Sequence, residues 1–356
     1  MPKFLSAALA LVAGACGLLA SGAASANSAV VFVHGTGDYG AGVSFQRFGN
    51  SASFDQMTTG ANSSACGTHS CGLWGMFSCA NTCTYNTGAA ARDSYWNQGS
   101  IDSMRAGRNF LVVSYWGASQ APNVAWQMIV DQIAQYQRTM GTDSFFIVTH
   151  SDGVNPIRYA MAHSTMPTSQ GNTWAGVVGS RLRGSVFIAG SQKGTPLADI
   201  VGSLLSLPVI GSISSWVLGG YASPAVYFQQ QGSMWAENNN WDLGPTPDLN
   251  QGNGVYALGG APVFNVSGTY PSYYVFGGNC GDYTEAGALW TVSGLASWSG
   301  YGGGGNTDGF IGTASSQYIG WNILQSGDQL NHDESRHNCA GTGPTISAYV
   351  NAYMGQ

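Results

Sequence analysis

The stretch Phe145-Phe146-Ile147-Val148-Thr149-His150-Ser151-Asp152-Gly153 runs from an unbroken apolar segment into a small, polar, glycine-containing turn. Four consecutive apolar residues are the pattern of a parallel strand buried on both faces. Val154 to His163 then reads as a helix. A serine between such a strand and such a helix has the setting of a nucleophile elbow. The sharp turn holds the hydroxyl proud of the sheet, where a histidine can take its proton and the helix start favours negative charge. The first position of the elbow pentapeptide is Thr149 rather than the usual glycine, so a serine in an ordinary strand–helix turn is the competing reading.

Working outward, Ser28 to His34 carries Ala29-Val30-Val31-Phe32-Val33 and ends at Gly35, which predicts a second buried strand. Gly35 to about Ala91 is rich in Gly, Ser and Asn and reads as irregular. Ser94 to Arg108 is expected to be helical, and Asn109 to Tyr115 another buried strand. Pro122 to Met140 is the clearest helix. Trp126, Ile129, Val130, Ile133, Tyr136 and Met140 share one face, with Gln127, Asp131, Gln135 and Arg138 opposite. Further strands are expected at Ser185 to Ala189 and Val263 to Val266, and a closing helix at Pro344 to Met354. Strands alternating with helices at these spacings indicate an α/β fold, a mainly parallel central sheet with helices on both faces. Ligands of such sheets bind at the carboxyl ends of the strands, where both the His34-Gly35 turn and Ser151 fall.

A serine hydroxyl needs a histidine within hydrogen-bond reach, and the histidine needs an orienting carboxylate. In sheets of this kind the order is Ser, then Asp or Glu, then His. His163 stands too close to its own turn to fold back onto it and reads as a surface or capping residue. The base is therefore His332 or His337. His34 and His150 read as structural residues near the strand ends. Backbone N–H groups of Asp152 and Thr36 are the expected oxyanion-hole donors.

Asn306-Thr307-Asp308-Gly309-Phe310-Ile311-Gly312, Ser315-Ser316 and Leu330-Asn331-His332-Asp333-Glu334 resemble the acid-to-histidine stretch of secreted bacterial triacylglycerol lipases of the α/β-hydrolase superfamily. Phe32-Val33-His34-Gly35-Thr36-Gly37 is similar to their first strand and oxyanion loop, and Lys193-Gly194-Thr195-Pro196 to a segment after a later strand. The resemblance covers about a third of the mature chain, always at strand ends. It implies the α/β-hydrolase fold, with Ser151 as nucleophile, Asp308 as acid and His332 as base, His337 remaining the competitor. Asp242, Asp282 and Asp328 lack a comparable strand-end turn. Segments 37–91, 197–260 and 268–304 do not match and read as insertions in one domain spanning 27–356. No cofactor is implied. Some members of the family hold calcium beside the histidine loop, and Glu334 has the spacing of one such ligand, but no matching upstream carboxylate is found.

Residues 1–26 read as a secretory signal: Lys3, an apolar stretch from Phe4 to Leu19, and Ala24-Ser25-Ala26 before the cut. Ala13 stands where a lipid-modified Cys16 would need a larger aliphatic residue. Cleavage after Ala26 leaves Cys66, Cys71, Cys79, Cys83, Cys280 and Cys339, an even set that reads as a disulfide framework in an exported chain rather than as a zinc site. The first four lie close together and are expected to pair among themselves, leaving Cys280 for Cys339. Charged residues are 8% of the chain and the formal net charge is −6, with no basic patch for nucleic acid. The uncharged span Ile200 to Ala236 is broken by Pro208 and glycines. It reads as a core helix pair or an apolar flap, and no transmembrane helix is expected.

These readings converge on a secreted serine hydrolase acting on lipids or other apolar esters. An extracellular polyester depolymerase of the polyhydroxyalkanoate type is the alternative, with aromatic residues such as Trp235, Trp241, Tyr270, Tyr273 and Tyr274 docking on the polymer. A non-catalytic binding protein on the same fold is the third reading.

Overall fold

A computed structural model of the chain describes residues 28–36, 38–45, 55–57, 91–117, 120–195, 198–199, 261–268, 308, 311–317, 321–326, 332, 334–337 and 341–355. In chain order the strands are β1 (Ser28–Val33), β2 (Asp38–Phe45), β3 (Asp55–Met57), β4 (Asn109–Trp116), β5 (Ser144–His150), β6 (Leu182–Ile188), β7 (Val263–Gly268) and β8 (Trp321–Ser326). The helices are α1 (Gln98–Met104), α2 (Pro122–Met140), α3 (Val154–Ala162), α4 (Trp174–Val177), α5 (Thr313–Ser316) and α6 (Thr342–Met354). The strands form one sheet in the order β3-β2-β4-β1-β5-β6-β7-β8. β2 runs antiparallel to β3 and β4, and the pairs from β4 through β8 are parallel.

The apolar runs form central strands because both faces of the sheet are covered. Ala29, Val31 and Val33 of β1 join Trp126, Ile129 and Ile133 of α2 and Val154 and Ile157 of α3 in one core. Val30 and Phe32 face the other way, onto Ile101 and Met104 of α1 and Ile346 and Val350 of α6. Phe32 sits edge-on to Trp96 at 5.3 Å between ring centroids, a geometry favoured by aromatic pairs.

Helix α2 begins at Pro122, whose missing N–H costs nothing in the first turn, and ends at Gly141 in the left-handed region (φ 65°). One residue departs from the expected face. Asp131 is buried rather than solvent-facing, because Thr168 and Asn172 donate hydrogen bonds to its Oδ1 at 2.6 and 2.7 Å. On the same helix Gln132 bonds the backbone of Ser114 through both ends of its amide, fastening α2 to β4.

Other expectations need correction. The stretch from Gly35 to Ala91 contains β2 and β3, whose glycines and polar residues hide the strand pattern. Instead of one helix over Ser94 to Arg108 there is a wide helical turn at Ala91–Trp96 followed by α1, capped by the Asn97 side chain on the Ser100 N–H at 2.8 Å. Residues 1–26, the six candidate disulfide cysteines and the span Ile200 to Ala236 lie outside the described residues. Among the described residues no helix is long and apolar enough to cross a membrane.

After β1 the chain forms β2 and β3 and then β4, which pairs with one side of β1, and α2 carries it across to β5 on the other side. That reversal marks the carboxyl ends of β1 and β5 as the place where open α/β sheets carry their ligand-binding crevice. Two strand-end turns meet there. A Cβ on Gly153 would lie 2.2 Å from the carbonyl oxygen of His34, so only glycine lets the β5–α3 turn press against the end of β1.

Replacing Phe32 by Ala is expected to destabilise the fold by about 3–5 kcal/mol, whereas Val124→Ala on the exposed face of α2 changes stability by less than about 0.5 kcal/mol. Urea unfolding midpoints at a common m-value compare the two. Gly153→Ala, which forces the turn away from His34, should fall nearer the first than the second.

Candidate active site

Ser151 follows β5 and has φ 57°, the left-handed region that costs a non-glycine residue of the order of 1–3 kcal/mol. The strain is held by its surroundings. β5 is buried along its whole length, and α3 starts at once after the tight turn Ser151–Gly153. The conformation aims the hydroxyl away from the sheet end, as an elbow requires.

Across the crevice, Asp308 lies between β7 and β8 in the chain and His332 follows β8. His332 Nε2 is 2.9 Å from Ser151 Oγ, and His332 Nδ1 is 2.8 Å from Asp308 Oδ2. A carboxylate oxygen accepts, so Nδ1 carries the ring proton and Nε2 is left to accept from the serine hydroxyl. The other carboxyl oxygen of Asp308 accepts the Ile311 N–H at 2.8 Å, and the His332 N–H donates to the Asp308 carbonyl at 2.8 Å. The His332 side chain is 13% exposed and that of Asp308 2%. The imidazole therefore borders the crevice while its carboxylate sits behind it, away from water.

The Gly35 turn closes the other side. A Cβ there would stand 2.6 Å from both Ser151 Cβ and the Tyr95 hydroxyl, so glycine is what allows the loop bearing Thr36 to come so near. Thr36 and Asp152, the expected oxyanion donors, thus flank Ser151 on two converging turns. His34 is a structural residue: its ring accepts the Tyr115 N–H at 3.1 Å, donates to the Gly35 carbonyl at 2.8 Å and stacks on Tyr115 at 4.2 Å.

His337 is not at Ser151. Its Nε2 donates to the Tyr95 carbonyl at 3.3 Å. His163 ends α3, with its N–H on the Tyr159 carbonyl and its ring stacked on Tyr159. Glu334 is buried, and among the described residues no three His, Cys, Asp or Glu side chains gather as a metal site.

The segment after β6 braces the stretch that follows Asp308. Gln192 donates to Asn265 Oδ1 on β7 and to the Ser316 carbonyl, each at 2.8 Å. Ser315 Oγ accepts the Lys193 N–H and donates to the Gly194 carbonyl. These bonds tie the segment that follows Asp308 to the sheet. Two further residues at the site stand out only in three dimensions, Tyr95 and His150. The Tyr95 hydroxyl meets His150 Nδ1, and His150 Nε2 meets the His332 carbonyl at 2.8 Å. Burial, reinforced by the nearby His332 and Arg336, holds the His150 ring well below the usual imidazole range. A neutral His150, with its ring 4.7 Å from that of His332, adds no charge repulsion to an imidazolium formed there. The sequence marks His150 as a structural residue near the strand end without naming its partners, and Tyr95 not at all.

No protein-family model matches the chain, and no curated protein is similar to it in sequence. Solved structures do resemble it. The mature form of the Bacillus licheniformis lipase BlEst2 aligns over 92% of this chain and 93% of its own, at 14% identity and a TM-score of 0.54. Its propeptide form aligns over 91% of this chain and 51% of its own, at 12% identity and a TM-score of 0.50. Likeness at such identity speaks to architecture, and with the parallel sheet and the elbow after β5 it identifies the fold: the chain has the α/β-hydrolase fold, in an arrangement similar to that of a bacterial lipase.

Proposed function

We propose that the chain is a serine hydrolase that cleaves carboxylic ester bonds of lipids or other apolar esters through an acyl-enzyme. The observation that carries this reading is the unbroken hydrogen-bonded line from Ser151 Oγ through His332 to Asp308. A binding protein would have no need to keep a strained serine at the head of such a line.

In the proposed reaction His332 Nε2 takes the hydroxyl proton as Ser151 Oγ attacks the acyl carbon. The Asp308 carboxylate stabilises the imidazolium that results. The backbone N–H groups of Asp152 and Thr36 receive the negative charge that builds on the carbonyl oxygen; one such donor is worth about 3 kcal/mol in the transition state. The imidazolium returns its proton to the departing alcohol, leaving Ser151 acylated. Water then repeats the sequence, with His332 as base, and releases the acid. Export through residues 1–26 and an apolar substrate go with the sparse charge of the chain.

Ser151→Ala is expected to lower kcat for a short p-nitrophenyl ester by about 10⁴-fold or more at unchanged Tm. Retained turnover would end this reading. His332→Ala should cost as much, while His337→Ala keeps activity within about tenfold of wild type, since only a group that moves the proton carries the larger factor. Asp308→Asn should lower kcat by about 10⁴-fold by trapping the wrong His332 tautomer. Steady-state assays at neutral pH compare all of these.

A further inference from the structure

His150 is buried at the end of β5 and takes no part in the proton path, yet both its ring nitrogens are engaged. Nε2 lies 2.8 Å from the His332 carbonyl. A carbonyl oxygen only accepts, so Nε2 bears the hydrogen. Burial holds the ring well below the usual imidazole range, so at neutral pH it has one hydrogen and Nδ1 is an acceptor. The Tyr95 hydroxyl on Nδ1 must therefore be the donor. The bonds run one way, from the Tyr95 hydroxyl to His150 and from His150 to the backbone of His332.

Tyr95 is itself fixed. The Arg336 guanidinium lies 4.2 Å from its ring centroid, a cation–π contact, and His337 donates to its carbonyl at 3.3 Å. The His332 carbonyl also accepts the Ser335 hydroxyl at 2.7 Å, and its N–H is held by Asp308. Ser335 and Asp308 belong to the acid and histidine segments themselves. The bond from His150 joins those segments to the sheet, at the residue preceding Ser151.

We propose that His150, oriented by Tyr95, is a positioning residue that holds the backbone of His332 so that its ring stays within reach of Ser151. The inference rests on reading Ser151 and His332 as nucleophile and base, and assigns the pair a mechanical support that the triad alone does not supply. A packing role would instead need only the volume of the ring. His150→Leu keeps volume and removes the donor. His150→Gln places an amide N–H near Nε2. Tyr95→Phe keeps the ring beneath Arg336 and removes the donor that sets the tautomer.

Proton NMR of the full chain, with histidine ¹⁵N-labelled, reads the arrangement without any turnover. The His332 Nδ1–H shared with Asp308 is expected as a sharp downfield resonance in wild type, broadened in His150→Leu and Tyr95→Phe and restored in His150→Gln. In a p-nitrophenyl ester assay kcat for His150→Leu should fall up to about 100-fold, the cost of a shift of about 1 Å, with KM within about twofold and recovery in His150→Gln. An unaltered resonance in His150→Leu, or in Tyr95→Phe should the leucine variant not fold, overturns the proposal. So does a glutamine variant no better than leucine at equal Tm. A wild-type chain that hydrolyses no ester would remove the proposed function, while the resonance still decides whether His150 positions His332.

Discussion

The left-handed backbone at Ser151 is the constraint on which the arrangement turns. A serine at φ 57° does not stay there by preference. β5 enters the turn fully buried and hydrogen-bonded on both sides, by β1 and β6. α3 leaves it with Val154, Ile157 and Ala160 already in the core. Between them Gly153 sits so close to the His34 carbonyl that a methyl group would not fit. The buried sheet thus supplies what the turn costs, and in return the hydroxyl projects into the crevice beside β1. The proposed chemistry needs that direction, since a serine lying along the strand would meet neither His332 nor a substrate.

The remaining parts come from segments distant in the chain and are joined by polar contacts inside the protein. Gln192 links the loop after β6 to β7 and to Ser316. His150 links β5 to the backbone of His332. Asn155 on α3 donates to Asp152 Oδ1 at 2.9 Å and to Ser191 Oγ at 3.1 Å, which ties the elbow to the loop after β6. Such groups tolerate burial only because they are paired, and pairing restricts the geometries open to them. Hydrophobic packing builds the sheet and its two covers; directional bonds of this kind set the angles at its rim.

How much of this was legible in the sequence follows from the same division. Apolar runs in β1, β4 and β5 and the periodicity of α2 report burial, which is the information a linear pattern carries best. The limits of α2 match the expected Pro122 to Met140, because Pro and Gly punctuate both ends. β2 was hidden by its glycines and β8 by its polar residues, since their pairing to neighbours rather than an apolar run makes them strands. Asp131 looked solvent-facing because helical periodicity knows nothing of Thr168 and Asn172 on another segment. At the site, Ser151 and the elbow turn could be read locally, and Asp308 and His332 from the resemblance of their segments. Tyr95 and the tie from His150 to His332 could not, being contacts between residues far apart in the chain with no motif of their own.

The proposed hydrolysis depends above all on a Ser151 hydroxyl activated by His332. Treatment of the full chain with a fluorophosphonate probe, followed by peptide mass mapping, addresses it directly. A single adduct is expected, on the peptide containing Ser151, formed in wild type and lost when His332 is replaced by Ala. An adduct on a different serine, or labelling of Ser151 that proceeds as fast without the His332 imidazole, would contradict it.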